Sequence, residues 1–544
     1  MFTVPILGID YLTFLILAPG LAGLLLLLLP NNDNLLRAVA LAASTAIGAY
    51  AVFLFYAYVG QAGNLNGGYL FEVSYPWFSP IGANWHLGID GISAAMILLT
   101  GILVPLSVLV SFEIHEGVKM HMALLLFFEI GLFGVFASLD LVIFFLFYEL
   151  SLVPIFFLIK EWGGANRQYA STKFFLYSMG GTLGMLLATQ LIGWSMSLTE
   201  LGVPSFDIVQ ITQYFPALRE GQTLLGQPVE VIKALAFTGF FIAFCIKVPV
   251  WPFHTWLPDA HSEAPTAGSM LLAGVMLKLG AYGFLRLVIP FFPDVWVRPL
   301  SFFGVGNFNA ATIFAVLAML GIVLGAFAAF AQTDIKRLVA YSSVNHMGFV
   351  ALGLAVTAYW YGRSYTEGVT NPELLQSAII ATNGAVMQMF NHGLSSAGMF
   401  LLAGAIYHKT HTRDLTQYGG FWVKAPIYGA IFIFTSMASL GLPGLNGFIG
   451  EFLVVRGAFS VFTWITVISM LGLLFTGAYI LKGIRAVLHG PFNMHWKDYD
   501  LEIDRRELIA IAPLMVLMLV TGLVPNWILT TINESVTRML SGLL

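Results

Sequence analysis

The sequence predicts an all-α polytopic membrane protein of about fourteen transmembrane helices, and three observations carry that prediction. Hydrophobic residues make up 58% of the 544 and charged residues only 10%, with a mean hydropathy of +0.85, more than a soluble core needs. Apolar windows of about 20 residues, the length that crosses about 30 Å of hydrocarbon, recur along the whole chain. The stretches between them are short, the longest being 60–90 and 199–230, so no polar segment is large enough for a catalytic domain and the chemistry is expected inside the bilayer.

Taken in order, the first window, 11–30, has no Lys or Arg ahead of it and no small-x-small cleavage pattern, which predicts a retained first helix rather than a signal peptide. Windows at 36–59, 91–112, 120–138, 141–160 and 171–197 follow, giving six helices before the 199–230 loop. Beyond it come 231–256, 264–292, 309–331, 337–360, 375–407, 425–455, 459–489 and 508–531. Two of these are interrupted by Pro and Gly, at KVPVWPFHTWLPDAHSEAPT (247–266) and at LGLPGLNGFIGEF (440–452). Proline removes a backbone donor and crowds the preceding turn, so both are predicted as broken helices.

The formal charge of −4 is small for this length and argues against a nucleic-acid partner. A single cysteine, Cys245, excludes an intrachain disulfide, a Cys-ligated iron–sulfur cluster and a Cys-based zinc site, so any electron carrier is expected in a partner. Placement of the basic residues sets the expected orientation. Leaving aside Lys247 and Lys278, the loops between helices 1–2, 3–4 and so on carry fifteen Lys and Arg against seven on the other side. The bias places those loops in the cytoplasm or its equivalent and both termini on the opposite face.

An ionisable side chain at mid-bilayer costs roughly 2.5–3.5 kcal/mol on insertion scales, so each one inside a window calls for a partner or water. Glu149 sits in LVIFFLFYELSLVPIFFLI with only Tyr148 and Ser151 as polar neighbours on its helix; Lys247, at the first break, is its expected partner from another helix. A nearby carboxylate and burial act on a lysine in opposite senses and can leave it close to switching. Lys278 lies in LLAGVMLKLGAYGFLRL, with Gly274 and Tyr282 one turn away on the same face and both helix ends out of reach for snorkelling. His346 in KRLVAYSSVNHMGFVALG and His392 in AVMQMFNHGLSSAGMF sit mid-helix among Ser, Asn and Gly, and histidine titrates near neutrality. Glu451 adjoins the second break. These six residues lie on six helices without a carboxylate cluster of metal-ligand type, which predicts a proton relay with no metal or cofactor site in this chain. Glu129, Lys173 and Arg286, within or near helix ends, are equally well read as anchors. His254, Asp259, His261 and Glu263 form the loop after the first break and are read either as an exit lining or as the cap of the next helix.

A weak internal repeat accompanies the relay. Lys247 and Glu451 are 204 residues apart, and Glu149 and His346 are 197 apart. An offset of five helices is odd, so the two copies would run in opposite directions across the membrane.

With these residues in view, YELSLVPIFFLI, KVPVWPFHTWLPDAHSEAPTAGSMLLAGVMLKLGAYG, YSSVNHMGF and GFIGEF resemble the fourth-subunit type of antiporter-like subunit in respiratory complex I, over most of the chain. Glu rather than Lys at position 451 favours that type. The resemblance implies two inverted five-helix repeats: helices 1–3 in 1–119, a first repeat (helices 4–8) in 120–292, a second (helices 9–13) in 309–489, and helix 14 with a tail in 490–544. It implies that Glu149 and Lys247 form the coupled pair of one half-channel, Lys278 a central switch, His346 and His392 the connecting relay, and Glu451 the second half-channel. It further implies a proton-translocating NADH:quinone oxidoreductase in an energy-converting membrane such as the bacterial inner membrane. FMN, iron–sulfur clusters and quinone would then reside in partner subunits, and antiporter-like subunits of the second and fifth types and small membrane subunits would be the neighbours. Alternative readings are a cation/proton antiporter subunit without a redox partner, and a ferredoxin- and plastoquinone-linked relative.

Overall fold

The computed structural model describes residues 9–61, 68–218, 221–302, 305–368 and 371–542, and it is overwhelmingly helical. In chain order the elements are α1 (Tyr11–Leu28), α2 (Asp33–Gln61), the hairpin β1 (Leu70–Phe78) and β2 (Ala83–Ile89), α3 (Gly91–Val110), α4 (Val118–Ala137), α5 (Leu141–Trp162), α6 (Arg167–Ser195), the short α7 (Ile208–Tyr214), α8 (Val229–Lys247), α9 (Trp256–Glu263) and α10 (Thr266–Phe291). There follow α11 (Ala310–Ala331), α12 (Ile335–Glu367), α13 (Pro372–Thr410), α14 (Pro426–Leu440), α15 (Asn446–Phe459), α16 (Thr463–Leu488), α17 (Arg505–Leu523) and α18 (Asn526–Ser541). Short polar residues start many of them: Asp10, Asp90, Asp140, Asp207, Asn309, Asp334 and Asn371 each accept hydrogen bonds from backbone N–H groups of the first turn that would otherwise be orphaned.

Among the described residues, twelve helices are long and apolar enough to cross a membrane. That number differs from the expected fourteen for a physical reason. α13 is 39 residues long but threads polar side chains through the interior, and α14 and α15 are each too short to span alone. Both predicted breaks are present. At the first, α8 ends on Lys247, and the indole N–H of Trp256 donates to the carbonyl of Ile246 at 2.9 Å, satisfying backbone that the break leaves open. At the second, α14 ends on Leu440 and is capped by Gly441 with φ +83°, the left-handed conformation that glycine adopts without steric cost.

The last window, 508–531, is not one helix. Pro525 cannot continue the hydrogen-bond ladder, so α17 stops at Leu523 and α18 begins at Asn526. α18 buries Ile528, Ile532, Val536 and Leu540, a stripe of spacing four, against α3 and α13.

Burial sorts the helices. In α10 and α12, 94% of the apolar window is enclosed by protein, against 33% in α1 and α16. The enclosed helices are those that carry Lys278 and His346, because costly polar groups are tolerated only where protein surrounds them. Small residues let these helices approach closely. A Cβ at Gly280 would lie 2.9 Å from Lys247 Cβ, and one at Gly393 would lie 2.8 Å from the carbonyl oxygen of Gly274, so α10 meets α8 and α13 almost backbone to backbone.

Candidate functional site

Lys278 is held by an irregularity in its own helix. Two π-helical stretches, Leu272–Met276 and Phe284–Val288, flank it, and a π turn takes carbonyl oxygens out of the regular ladder. One of those, Ala273 O, accepts from Lys278 Nζ at 2.5 Å, and His392 Nδ1 lies 2.8 Å from the same nitrogen. A histidine that accepts through Nδ1 carries its ring proton on Nε2. That Nε2 is buried without a hydrogen-bond partner among the described residues.

The His392 ring centre stands 5.7 Å from that of His346, whose Nδ1 meets Glu451 Oε1 at 2.6 Å. Gln388 Nε2 donates to the same carboxylate oxygen at 2.9 Å, and the Nε2 of His346 faces Ser439 Oγ at 3.4 Å and the Tyr479 hydroxyl at 3.3 Å. Four of the residues singled out from sequence thus form one line, Lys278, His392, His346 and Glu451, across α10, α13, α12 and α15. None is more than 5% exposed.

Lys247 and Glu149 stand differently from the expectation. Lys247 is buried and backs onto Gly280 of α10, but it makes no ion pair among the described residues; its Nζ lies 4.6 Å from the centre of the Tyr148 ring. The reason is local geometry. Tyr148 points into the core and is fully buried, whereas Glu149, the next residue on the helix, turns away and is only half-buried. The two charges still feel each other, through a shared electrostatic interaction without contact.

Other candidates settle into structural surroundings. Asp259 in α9 pairs with Lys173 of α6 at 2.7 Å and with Arg337 of α12, and Glu263 pairs with Arg413 at 3.3 Å and accepts from Asn166 N at 2.9 Å. These ties anchor α9, a short helix that places Asp259, His261 and Glu263 where the sequence predicted a loop. His261 stacks on Phe400 with ring centres 4.3 Å apart. Glu129 lies inside α4, fully enclosed, with neither carboxyl oxygen hydrogen-bonded among the described residues. Arg286 pairs with Asp90 at the start of α3. His254 lies in the turn between α8 and α9 with its Nδ1 unpartnered among the described residues. No group of His, Cys, Asp and Glu able to hold a metal ion occurs among the described residues.

Sequence reasoning missed Gln388, Ser439, Tyr479 and the role of Tyr148 as the platform under Lys247. Gln388 was detectable, since it precedes His392 by four residues and so shares its helix face. Ser439 and Tyr479 reach His346 from other helices, and no local pattern marks them.

Fold and site together define a class first, a polytopic membrane protein with a buried chain of titratable groups between broken helices. The model of the NADH:quinone oxidoreductase/Mrp antiporter transmembrane family matches residues 138–370 and 373–476, and the chain belongs to that family. Within it, the chain is similar to NADH-quinone oxidoreductase subunit M of Rhodobacter capsulatus, 37% identical over 88% of this chain and 86% of that protein. It is also 39% identical to NADH-quinone oxidoreductase subunit M of Escherichia coli strain K12, over 86% of this chain and 84% of the relative. Among solved structures, a chain of respiratory complex I from Thermus thermophilus superposes with a TM-score of 0.80 at 27% identity, covering 98% of this chain and all of that one.

Proposed function

We propose that this chain is a proton-translocating membrane subunit of an NADH:quinone oxidoreductase, moving H⁺ along Lys278, His392, His346 and Glu451 in response to quinone reduction elsewhere in the complex. The observation that carries the reading is the line of these four buried groups, in hydrogen-bond contact at Lys278–His392 and at His346–Glu451, with the two histidine ring centres 5.7 Å apart between them. Lysine, histidine and glutamate at hydrogen-bond distance exchange protons, and two enclosed lysines repel a fixed metal cation. Lys247 and Glu149 supply a half-channel that communicates with the line through electrostatics across the closely packed α8 and α10. Moving one charge against 100 mV takes about 2.3 kcal/mol, so a modest change in charge pairing suffices.

FMN, iron–sulfur clusters and quinone belong to partner subunits, and antiporter-like subunits of the second and fifth types with small membrane subunits are the neighbours in this reading. The two breaks, one ending on Lys247 and one beside Glu451, support inverted repeats over 120–292 and 309–489. The excess of basic residues on one side supports both termini facing away from the cytoplasm. The test is the assembled complex in sealed vesicles. Lys247→Ala and Lys278→Ala are expected to lower the number of protons moved per electron. Wild-type ratios in both would overturn the reading, and purification as a complex without flavin and iron–sulfur subunits would support a redox-free antiporter instead.

A further inference from the structure

A cavity of about 470 Å³ opens where α8 begins, lined among others by Glu230, Lys233, Ala234, Thr238, Asp294 and Arg298. Lys233 follows Glu230 by three residues and so shares its face of α8. It is 5% exposed and its ammonium is fully employed: Nζ donates to the carbonyls of Pro216 at 2.9 Å and Leu218 at 3.4 Å, and stands 3.5 Å from Asp294 Oδ2. Those acceptors match the three hydrogens of the group. Other charged atoms around the cavity are left over. Glu230 Oε1 and Asp294 Oδ1 are buried without a hydrogen-bond donor among the described residues, and the exposed Arg298 guanidinium has no acceptor among them.

The surface beside these charges is made for hydrocarbon. Ala234 and Thr238 are exposed on the same face of α8 as Val231, Leu235 and Ile242. The Thr238 hydroxyl donates to the carbonyl of Ala234 at 2.7 Å, so it presents no free donor to lipid. Ile313 of α11 is exposed too, and α11 packs beside α8 through Phe241 and Phe314, whose ring centres are 5.5 Å apart. The cavity thus joins unpaired charges to a lipid-facing apolar stripe, and its occupant must have a polar head and an apolar body. Water meets only the first requirement, and the volume far exceeds the share of about 30 Å³ that one water takes.

We infer that this cavity is a phospholipid site selective for a headgroup with a primary ammonium, as in phosphatidylethanolamine. The ammonium donates to Glu230 Oε1 and Asp294 Oδ1, and Arg298 donates to the phosphate, all in charge-assisted hydrogen bonds. The acyl chains lie along Ala234, Thr238 and Ile313. Charge decides the headgroup. Glu230, Asp294, Lys233 and Arg298 sum to zero, as the zwitterion does. A choline headgroup has no N–H to give the two carboxylate oxygens, and a glycerol headgroup brings a net negative charge with no ammonium. A serine headgroup adds a carboxylate for which no second cation is left, because Lys233 is already engaged. None of these residues belongs to the proton line, so the site stands or falls independently of it.

The experiment uses the assembled complex, stripped of lipid by detergent exchange and incubated with phosphatidylethanolamine that bears a photoreactive diazirine in one acyl chain. Crosslinked peptides are identified by mass spectrometry, and crosslinks are expected within 229–242 and at the start of α11. Unlabelled phosphatidylethanolamine is expected to displace the probe, whereas phosphatidylcholine and phosphatidylglycerol should need roughly tenfold higher concentrations, the factor that one lost charge-assisted hydrogen bond brings. Glu230→Gln and Arg298→Gln are expected to lower crosslinking by a similar factor. Equal displacement by all three lipids would reduce the site to unselective boundary contact, and wild-type crosslinking in both variants would remove the assigned headgroup contacts. Absence of crosslinks from these two segments would show that lipid does not enter. Each of these results overturns the inference, and the competition is read on the wild-type complex, so it decides even where a variant fails to assemble.

Discussion

At the scale of single residues, what matters is how each buried charge is accompanied. Glu451 holds His346 at 2.6 Å and Gln388 at 2.9 Å on one oxygen. Replacing Gln388 by Leu removes a hydrogen bond to a charged acceptor, worth about 1.5–3 kcal/mol. Slower proton translocation and a lower melting temperature of the purified complex are the expected results, and an unchanged pair of values would assign Gln388 no part. Lys247 is accompanied by a ring instead of a carboxylate. Tyr148→Leu removes that platform, costing about 2 kcal/mol for a desolvated cation–π contact, whereas Tyr148→Phe retains most of it. Vesicle pumping assays on the two variants separate the ring from the hydroxyl: only the Leu variant is expected to lose translocation. All six candidate charges were legible because their expense inside an apolar window is visible in one dimension. Tyr148 was visible too, but which of two adjacent side chains faces a lysine on another helix depends on the rotation of α5, and no local pattern sets that.

At the scale of elements, close packing decides which charges meet. α10 and α13 cross where Gly274 and Gly393 face each other, and this crossing sets His392 beside Lys278. A Cβ at Gly393 would stand 2.6 Å from Leu99 Cδ2 and 2.8 Å from the Gly274 carbonyl, and a backbone atom cannot swing aside as a side chain can. Gly393→Ala is therefore expected to destabilise the bundle by about 1–3 kcal/mol and to lengthen the Lys278–His392 contact. Thermal unfolding and proton translocation should fall together; a stable variant with full translocation would refute the role of this crossing. The two breaks were readable from Pro and Gly, yet the π turns around Lys278 were not. Nothing in LLAGVMLKLGAYGFLRL signals them, because they arise from fitting α10 among neighbours that enclose it on all sides. The end of the last helix shows the reverse case, where Pro525 states the boundary and only an apolar average over 508–531 concealed it.

At the scale of the whole molecule, extramembrane contacts tie distant segments together and give the fold a pH dependence. The hairpin docks on the start of α5 and the segment before α7: Asn84 N donates to Asp140 at 2.9 Å, Leu139 N donates to the carbonyl of His86 at 2.9 Å, and the His86 ring bridges Asp207 at 2.7 Å and Glu72 at 3.0 Å. Burial raises Asp140 from 3.8 to about 6, against the lowering effect of the N–H groups of Asn84, Ile143 and Val142. Burial pulls His86 down, but the hydrogen bonds and charges of Asp207 and Glu72 outweigh it and leave the ring above its ordinary value. Both groups hold protons more tightly folded than unfolded, so both contribute stability at low pH and lose it as pH rises. Asp140 loses its share as pH climbs from 3.8 through about 6, and His86 loses its share above its ordinary value of 6.5. The Asp140 share is on the order of 2–3 kcal/mol at about 1.4 kcal/mol per pH unit. Amide exchange at Asn84 and Leu139, expressed as protection factors, should show weaker protection at about pH 8 than at about pH 5; equal protection would exclude the effect. At the opposite end, Asp259 joins α6 to α12 through Lys173 and Arg337. Asp259→Ala, which strands two cations, is expected to cost about 1.5–3 kcal/mol, measurable as a lower melting temperature.

The sequence by itself determined that the chain is helical and membrane-embedded, where two of its helices break, and which charges stand inside the bilayer at a cost. Those properties follow from hydropathy, backbone chemistry and the expense of isolated charge, all of which are local. Tertiary structure alone decided how closely Lys278, His392, His346 and Glu451 approach one another, and that Lys247 and Glu149 stay out of contact. The order of groups along a proton path depends on how helices rotate and cross, and those angles are set by glycines, π turns and packing partners far away in the chain.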